Sequence, residues 1–342
     1  MTRRVLVVRL DSFGDVLVGG PAVRAVAAAP DTEVWMLCGP QGAPAARLLP
    51  GVAELRVWAC PWVTETDRPV DAAAVDELAA IVREARPDEA VILTSFHQSP
   101  LPVALLLRLA GVPRISGASV DFAGALLDVR LRPGEDLDED QPEPERALAI
   151  VRAAGFDLPA GDDGRLAVVH DDALPPEVAE LDRYVVVHPG ASVPARSWPV
   201  GHHAELVERF AELGVPVVVT GSPGERDLTA VAAGATGIDL GGRTSPAALA
   251  AVLAHAEVVV VGNTGPAHLA AAVGTPIISL FSPVVPAVRW APYGVPVELL
   301  GDQGAACRLS RARECPVPGH PCLASVRPED VLAARARLLA RA

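Results

Sequence analysis

The sequence predicts an α/β protein with two doubly wound domains, each a mostly parallel sheet covered by helices on both faces. Apolar runs alternate with helical stretches between residues 5 and 116, and the same alternation resumes at residue 184. An acidic, proline-containing stretch separates the two series. Strands that alternate with helices are typical of βαβ units, and 342 residues can bury two hydrophobic cores.

The first half of the chain begins with a buried strand and a turn into a helix. Its predicted strands are 5–10, 33–38, 55–58, 90–94 and 114–116, with helices near 15–26, 43–49, 71–86 and 100–110. Acidic and proline residues predict a loop over 133–144, and Gly155 closes a helix over 145–154. The polar segment that follows is expected to be a linker around a short strand at 166–169.

The second half repeats the pattern. Its predicted strands are 184–187, 215–220, 258–261 and 276–281, with helices near 202–213, 225–233 and 246–254. We therefore expect a first domain at 1–157, a linker region at 158–182, a second domain at 183–327 and a C-terminal helix at 328–342.

Composition narrows the class of protein. The chain has 29 basic residues, all of them arginine, and 42 acidic ones, so its formal charge is −13. This balance argues against nucleic acid or an anionic membrane as the main partner. We see no signal peptide and no apolar run near the roughly 20 residues of a membrane span. Five cysteines fit a reducing compartment, so we expect a cytoplasmic protein without a transmembrane segment.

The clearest strand–turn–helix–strand unit lies at 258–281. Its apolar run ends in a polar turn, Asn263-Thr264-Gly265, after which Pro266 opens an Ala- and Leu-rich helix. Proline suits the first helical position, where its missing N–H would have no partner in any case, and Gly265 lets the backbone approach a bound group. Unsatisfied N–H groups and the helix dipole favour phosphate at such a helix start. The unit indicates a phosphate-binding turn, although a purely structural turn has the same pattern.

Residues around this turn are candidates for binding. His268 lies four positions after Thr264, on the same helix face, and is either a donor to a phosphate oxygen or a core histidine. The amides of Ala267 and His268 are expected to be free. Asn263 is the only asparagine in the chain, which suggests a specific role. The alternative is that Asn263 tolerates a left-handed turn conformation.

A carboxylate begins the first predicted helix. Asp15 follows strand 5–10 at the helix start, where the dipole stabilises an anion. That position suits an N-cap as well as a ligand or a base.

Ligands in open α/β sheets bind beyond the carboxyl ends of the strands. Four loops are therefore expected to face a cleft between the domains, namely 11–15, 188–198, 221–227 and 262–268. No G-x-G-x-x-G follows the first strand and no P-loop is present, which argues against a nicotinamide enzyme or an NTPase.

Four segments carry a family resemblance: RLDSFGDVLVGGPAVRAV at 9–26, HPGASVPARSWP at 188–199, GSPGER at 221–226 and GNTGPAHLAAAVGTP at 262–276. Together, and in this order, they resemble glycosyltransferase family nine, the heptosyltransferase-like enzymes. The resemblance spans nearly the whole chain. It implies the GT-B fold, in which two doubly wound Rossmann-like domains face a central cleft.

The resemblance also implies roles. The N-terminal domain would bind the acceptor, with Asp15 as the general base, and the C-terminal domain would bind a nucleotide-diphosphate sugar. The C-terminal helix could pack back on the N-terminal domain. Glu225 is the candidate for the ribose hydroxyls, and Asp227 is a weaker one. The implied donor-binding residues are Ser192, Arg196, Glu225, Asn263, Thr264, Gly265 and His268.

Two departures from the family pattern stand out. Asn263 replaces the usual aspartate, which keeps hydrogen bonding but removes a charge and puts heptose as the donor sugar in doubt. The second departure lies in a segment that is often cysteine-rich in the family. Ser310 stands where another cysteine is expected, which leaves Cys307, Cys315 and Cys322. A four-thiolate zinc site would be incomplete, so structural or free thiols are expected.

The resulting hypothesis is a metal-independent transferase without a cofactor. It would move heptose or a related sugar from a nucleotide-diphosphate donor, ADP-linked, to a glycan, lipid-linked or small-molecule acceptor. Lipopolysaccharide core is the family's best-known acceptor, which would bring the enzyme transiently to the inner membrane face. A sugar-nucleotide epimerase of the same fold and a catalytically silent sugar-nucleotide-binding protein are the alternatives.

Overall fold

The computed structural model describes residues 2–63 and 68–341. The chain forms two compact units, Met1–Ala167 and Val168–Ala342. Each unit is a six-stranded sheet flanked by helices, and in both sheets all strand pairs are parallel. The α/β class with two doubly wound domains is thereby confirmed.

The first unit has the strand order β3-β2-β1-β4-β5-β6. Its strands are β1 (Arg3–Arg9), β2 (Thr32–Cys38), β3 (Val52–Val57), β4 (Glu89–Ile92), β5 (Ile115–Ala118) and β6 (Val129–Leu131). Its helices are α1 (Phe13–Val18), α2 (Gly20–Ala27), α3 (Ala43–Ala46), α4 (Ala72–Ala85), α5 (Leu101–Leu109) and α6 (Glu143–Ala154). In the register, Val7 pairs with Met36 on one side and with Val91 on the other. All three are buried, as a sheet covered on both faces requires.

The second unit has the strand order β12-β11-β10-β7-β8-β9. Its strands are β7 (Val185–His188), β8 (Val217–Val219), β9 (Ile238–Asp239), β10 (Val258–Gly262), β11 (Ile277–Leu280) and β12 (Val297–Leu300). Its helices are α7 (Pro176–Ala179), α8 (Val200–Glu212), α9 (Arg226–Ala233), α10 (Pro246–Ala254), α11 (Gly265–Ala272), α12 (Ala287–Trp290), α13 (Pro321–Ala324) and α14 (Pro328–Leu339).

Both units share one topology. In each, the first and fourth strands are neighbours at the centre, and the chain winds outward from them in both directions. This is the Rossmann order, and the place where the strand order reverses is where such folds bind ligands. The reversal lies between β1 and β4 in the first unit and between β7 and β10 in the second.

The structure corrects three sequence-based expectations. The predicted strand at 166–169 is wrong, because this stretch has no regular structure and Val169 is exposed while Leu166 alone is buried. Strands β6, β9 and β12 were not predicted, since each is a short edge strand without a buried apolar run. Helix α6 begins inside the predicted loop, at Glu143, with a proline in its first turn.

The C-terminal helix is α14, and its main contacts within the second unit are with α8, β11 and β12. Packing of this helix on the N-terminal domain stays a prediction. Across the described ranges, no helix combines the length and apolarity needed to cross a bilayer.

Candidate functional site

The four loops predicted from the sequence each follow the carboxyl end of a strand. Loop 11–15 follows β1, and the other three follow β7, β8 and β10, which are adjacent in the second sheet. Loops 188–198 and 262–268 therefore flank the point where the strand order reverses. In the first unit, loop 11–15 lies beside the loop after β4, which the sequence did not single out.

Asp15 lies at the centre of a hydrogen-bonded cluster. Ser12 is the N-cap of α1 and Asp15 is the third helical residue, so the expectation that Asp15 could itself be the N-cap is wrong. One carboxylate oxygen accepts from the Ser12 hydroxyl at 2.6 Å and from the Ser12 amide at 3.2 Å. The other accepts from the Arg9 guanidinium at 3.0 Å and from the Ser95 hydroxyl at 3.3 Å. The side chain is 18% exposed, so a ligand can still reach it.

Arg9 links two carboxylates. Its side chain is 3% exposed, and its Nε lies 3.0 Å from a carboxylate oxygen of Asp11 while its Nη2 contacts Asp15. Burial raises the pKa of Asp11 more than Arg9 lowers it. Burial also acts to raise the pKa of Asp15, but the Arg9 charge and the Ser12 hydrogen bonds outweigh it, so this pKa is lowered. Asp15 is therefore held as the anion.

Sequence reasoning missed Arg9, Asp11, Ser95 and Gln98. Ser95 and Gln98 come from the turn after β4, where Gln98 donates to Asp11 and Ser95 contacts Asp15. The strand order could have identified Ser95 and Gln98, because in a Rossmann fold the turn after the fourth strand lies beside the turn after the first.

In the second unit, the loops after β7 and β8 meet around Glu225. Its carboxylate accepts from the Ser222 amide at 2.7 Å and lies so close to Gly190 that a Cβ there would collide with it. His188, at the end of β7, hydrogen-bonds Thr220 at 3.0 Å. Burial lowers the pKa of His188 to about 4, although the Glu225 charge acts in the opposite direction. His188 is thus a neutral, buried support for the loops.

The turn after β10 carries the other candidates. Thr264 is the N-cap of α11, Gly265 is its first residue and Pro266 its second. Pro266 therefore lies one position after the first helical position that the sequence predicted for it. Asn263 and His268 are buried, 5% and 4% exposed. Asn263 does not have a positive φ, so the left-handed-turn explanation is wrong. The Ala267 amide donates to the Thr264 carbonyl oxygen at 3.1 Å, which corrects the expectation that it is free.

Arg196 lies against this turn. It ends the 3₁₀ turn Pro194–Arg196, and a Cβ on Gly262 would come within 3.2 Å of the Arg196 carbonyl oxygen.

The buried hydroxyl oxygen of Thr264 has no hydrogen-bond partner among residues 2–63 and 68–341. Thr264 is the N-cap but its side chain does not cap the helix, so its hydroxyl is available to a ligand.

The remaining candidates are more peripheral. Ser192 and Asp227 are exposed, the latter in the first turn of α9. Trp198 is buried and donates to the Val326 carbonyl oxygen at 3.1 Å, so it serves packing. None of the five cysteines forms a disulfide bond within the described residues. Within the part of the chain that the structure covers, no three His, Cys, Asp or Glu side chains are grouped to hold a metal ion.

Similar solved structures share this architecture. A glycosyl transferase family 9 protein from Veillonella parvula is 18% identical, with a TM-score of 0.79 over 99% of this chain and 98% of that one. E. coli ADP-heptose lps heptosyltransferase II is 22% identical, with a TM-score of 0.75 over 99% of both chains. E. coli heptosyltransferase WaaC with ADP-2-deoxy-2-fluoro heptose is 22% identical, with a TM-score of 0.69 over 96% of this chain and 98% of that one.

At these identities the likeness shows the fold, which is that of the GT-B heptosyltransferases. No curated protein matches the sequence. A family model, glycosyltransferase family 9 (heptosyltransferase), matches residues 91–320, more than half of the chain and most of the motifs described above. The protein therefore belongs to glycosyltransferase family 9.

Proposed function

We propose that the protein transfers a sugar from a nucleotide-diphosphate donor to an acceptor hydroxyl by direct displacement. The acceptor oxygen forms a bond to the anomeric carbon while the bond from that carbon to the phosphate oxygen breaks. The acceptor proton passes to Asp15, and the nucleoside diphosphate leaves.

The observation that carries this proposal is the state of Asp15. A general base must be ionised before reaction and within reach of the hydroxyl, and the Arg9 charge with the Ser12 hydrogen bonds keeps this carboxylate ionised. A low pKa weakens a base in the ground state. The acceptor hydroxyl becomes more acidic as its oxygen bonds to the anomeric carbon, so the transfer becomes favourable as the reaction proceeds.

The turn after β10 supports donor binding. The start of α11 offers a helix dipole and a buried Thr264 hydroxyl, and both suit a diphosphate. Arg196 would add a cationic guanidinium, and a bidentate contact to phosphate is what this group makes best. Together these groups would stabilise the departing diphosphate without a metal ion.

The proposal includes further donor contacts. Glu225, beside Gly190, would accept from ribose hydroxyls, Ser192 and His268 would contact the diphosphate, and Asn263 would contact the sugar. Two of the solved structures described above are an ADP-heptose heptosyltransferase and a heptosyltransferase with an ADP-linked heptose analogue. This favours an ADP-linked heptose or related sugar as the donor here.

Asp15→Asn tests the mechanism. We expect turnover to fall by about 100-fold or more, the usual scale for loss of a general base, with donor binding nearly unchanged. Nucleotide release with an acceptor measures turnover, and calorimetry measures donor binding. Asp163→Asn, at an exposed carboxylate of the same unit, is the control and should match the wild type. Wild-type turnover in Asp15→Asn would remove Asp15 from the mechanism.

A further inference from the structure

The segment between β12 and α13 lies along the carboxyl edge of the second sheet. Residues 305–320, which we call the strap, contain no helix or strand. The Leu309 amide donates at 2.8 Å to the Pro283 carbonyl oxygen, in the loop that follows β11. The Arg311 amide donates to the next carbonyl oxygen, that of Val284, at the same distance. The strap is thus fixed to the edge at which Rossmann sheets bind ligands.

The backbone of the strap is strained. Among the described residues, five other than glycine have a positive φ, and three of them lie in the strap: Leu309 at 61°, Arg311 at 57° and His320 at 49°. Side chains other than glycine disfavour this left-handed conformation. It persists only where the surroundings hold it, and such residues cluster at functional sites. The strain therefore indicates a function for the strap.

The strap holds both backbone polar groups of Ala195, a residue that is 1% exposed. The Ala195 amide donates to the Arg313 carbonyl oxygen at 2.8 Å. The Ala195 carbonyl oxygen lies 3.1 Å from Nε2 of the His320 ring, 125 positions away in the chain. Because a carbonyl oxygen only accepts, Nε2 carries the hydrogen and donates it. The His320 side chain therefore helps to fix the position of Ala195.

Ala195 immediately precedes Arg196 in the turn Pro194–Arg196. On its other side this turn lies against β10, since a Cβ on Gly262 would come within 3.2 Å of the Arg196 carbonyl oxygen. Gly262 ends β10, two positions before the N-cap of α11. A shift of Ala195 would thus move Arg196 relative to the helix start. Binding of phosphate by a guanidinium depends on its placement.

We propose that His320 is a positioning residue for the donor diphosphate. Its Nε2–H holds the Ala195 carbonyl oxygen, and this contact places Arg196 for the phosphate oxygens. His320 itself contacts no donor atom. The inference rests on the proposed contact between Arg196 and the diphosphate, and it adds the residue that keeps this contact in place.

Two amide substitutions test the role of the imidazole. The Gln side-chain nitrogen is separated from Cα by as many bonds as Nε2 of His, whereas the Asn nitrogen is one bond closer. His320→Gln can therefore restore the hydrogen bond to Ala195, and His320→Asn cannot. Asn is the better residue for a left-handed φ and for the N-cap of α13 that His320 occupies. An effect through stability alone would therefore favour Asn over Gln.

Calorimetry on the full chain with ADP and with adenosine measures the effect. We expect His320→Asn to weaken ADP about 5-fold or more, the scale of one neutral hydrogen bond, and His320→Gln to bind ADP close to the wild type. Adenosine should bind both variants as it binds the wild type, because it lacks the diphosphate. A merely structural histidine would affect both ligands alike.

A double-mutant cycle shows whether the effect passes through Arg196. Arg196→Ala alone should weaken ADP, and adding His320→Asn to it should weaken ADP no further. His255→Asn is the matched control, because the His255 ring also hydrogen-bonds a carbonyl oxygen, that of Ala251 at 3.0 Å. His255 is the C-cap of α10, at the opposite edge of the sheet. This variant should bind ADP as the wild type does.

Three results would overturn the role of His320 while Arg196→Ala still weakens ADP. These are normal ADP binding by His320→Asn, an equal loss of adenosine binding, or an undiminished effect of His320→Asn in the Arg196→Ala background. Failure of the proposed donor contact has a different signature. A wild type that does not bind ADP, or an Arg196→Ala protein that binds ADP normally, would reject that contact and the positioning role with it.

Discussion

At the scale of single residues, the Asp15 cluster sets the pH range of the proposed reaction. Several groups act on one carboxylate, and burial opposes the Arg9 charge and the Ser12 hydrogen bonds. The lowered pKa means that the proton leaves Asp15 at a lower pH than it leaves an ordinary aspartate. The acid limb of kcat/KM, which reports the free enzyme, should therefore lie below the pKa of an ordinary aspartate.

Ser12→Ala tests this balance. Loss of the 2.6 Å hydrogen bond from the Ser12 hydroxyl removes a contact that favours the anion, so the pKa of Asp15 should rise. We expect the acid limb of kcat/KM to move to higher pH while activity at pH 8 changes little. An acid limb that coincides with that of the wild type would contradict the role given to Ser12. Ser99→Ala, outside the Asp15 hydrogen bonds, is the control.

A second prediction at the scale of single residues concerns the Asn263 side chain. It is buried at the end of β10 without a positive φ, so turn geometry does not account for an asparagine here. If the side chain contacts the donor sugar, Asn263→Asp should shift the preference among donors towards ADP-heptose and leave ADP binding about equal. Competition between donor sugars on both proteins measures this. An unchanged ranking would show that Asn263 does not select the sugar.

At the scale of elements, helix α8 carries a buried and unpaired histidine. Neither ring nitrogen of His203 has a hydrogen-bond partner in the described part of the chain, and the ring packs edge-on against Trp198 at 4.7 Å. Burial, with smaller contributions from His188 and His202, lowers the pKa of His203 to about 3. The imidazole is thus neutral in the folded protein.

His203→Phe should stabilise the protein. It keeps the ring contact and removes two unpaired polar atoms, each of which costs about 1–3 kcal/mol. The unfolded state binds a proton near pH 6.5 and the folded state only near pH 3, so His203 lowers the free energy of unfolding as pH falls between these values. The variant should therefore show a higher free energy of unfolding at pH 7 and a weaker decline below pH 6.5.

Urea unfolding at several pH values measures both effects. His255→Phe is the control, because the His255 ring already hydrogen-bonds the Ala251 carbonyl oxygen at 3.0 Å, so its loss should not stabilise. A His203→Phe protein less stable than the wild type at pH 7 would mean that the ring nitrogens are satisfied in solution.

At the scale of the whole molecule, the proposed donor should stabilise the folded chain. A ligand that binds only the folded state raises its free energy of unfolding by mass action, about 2.7 kcal/mol at 100 times Kd. In a thermal-shift series we expect ADP-linked sugars to raise Tm more than UDP- or GDP-linked ones. The bare nucleoside should have a smaller effect, because it lacks the diphosphate proposed to meet α11. Equal shifts for all nucleotides would reject the ADP preference.

The sequence by itself determined the fold class and most central elements. Buried parallel strands are continuous apolar runs, as in β7 and β10, and amphipathic helices have a clear period, so local pattern was enough. The same holds for the turn before α11, where the polar turn and Pro266 lie next to each other in the chain. Asp15 and the donor-loop candidates also came from motifs that are local in sequence.

Only the tertiary structure decided which side chains meet. The short edge strands β6, β9 and β12 form because a neighbouring strand is available, and their own sequences carry no buried run. The contacts of Ser95 with Arg9 and Asp15 join residues 86 and 80 positions apart. The physical reason is that parallel strands separated by long crossovers bring their carboxyl ends to one edge. Distance along the chain therefore says nothing about which charges and hydroxyls share that edge.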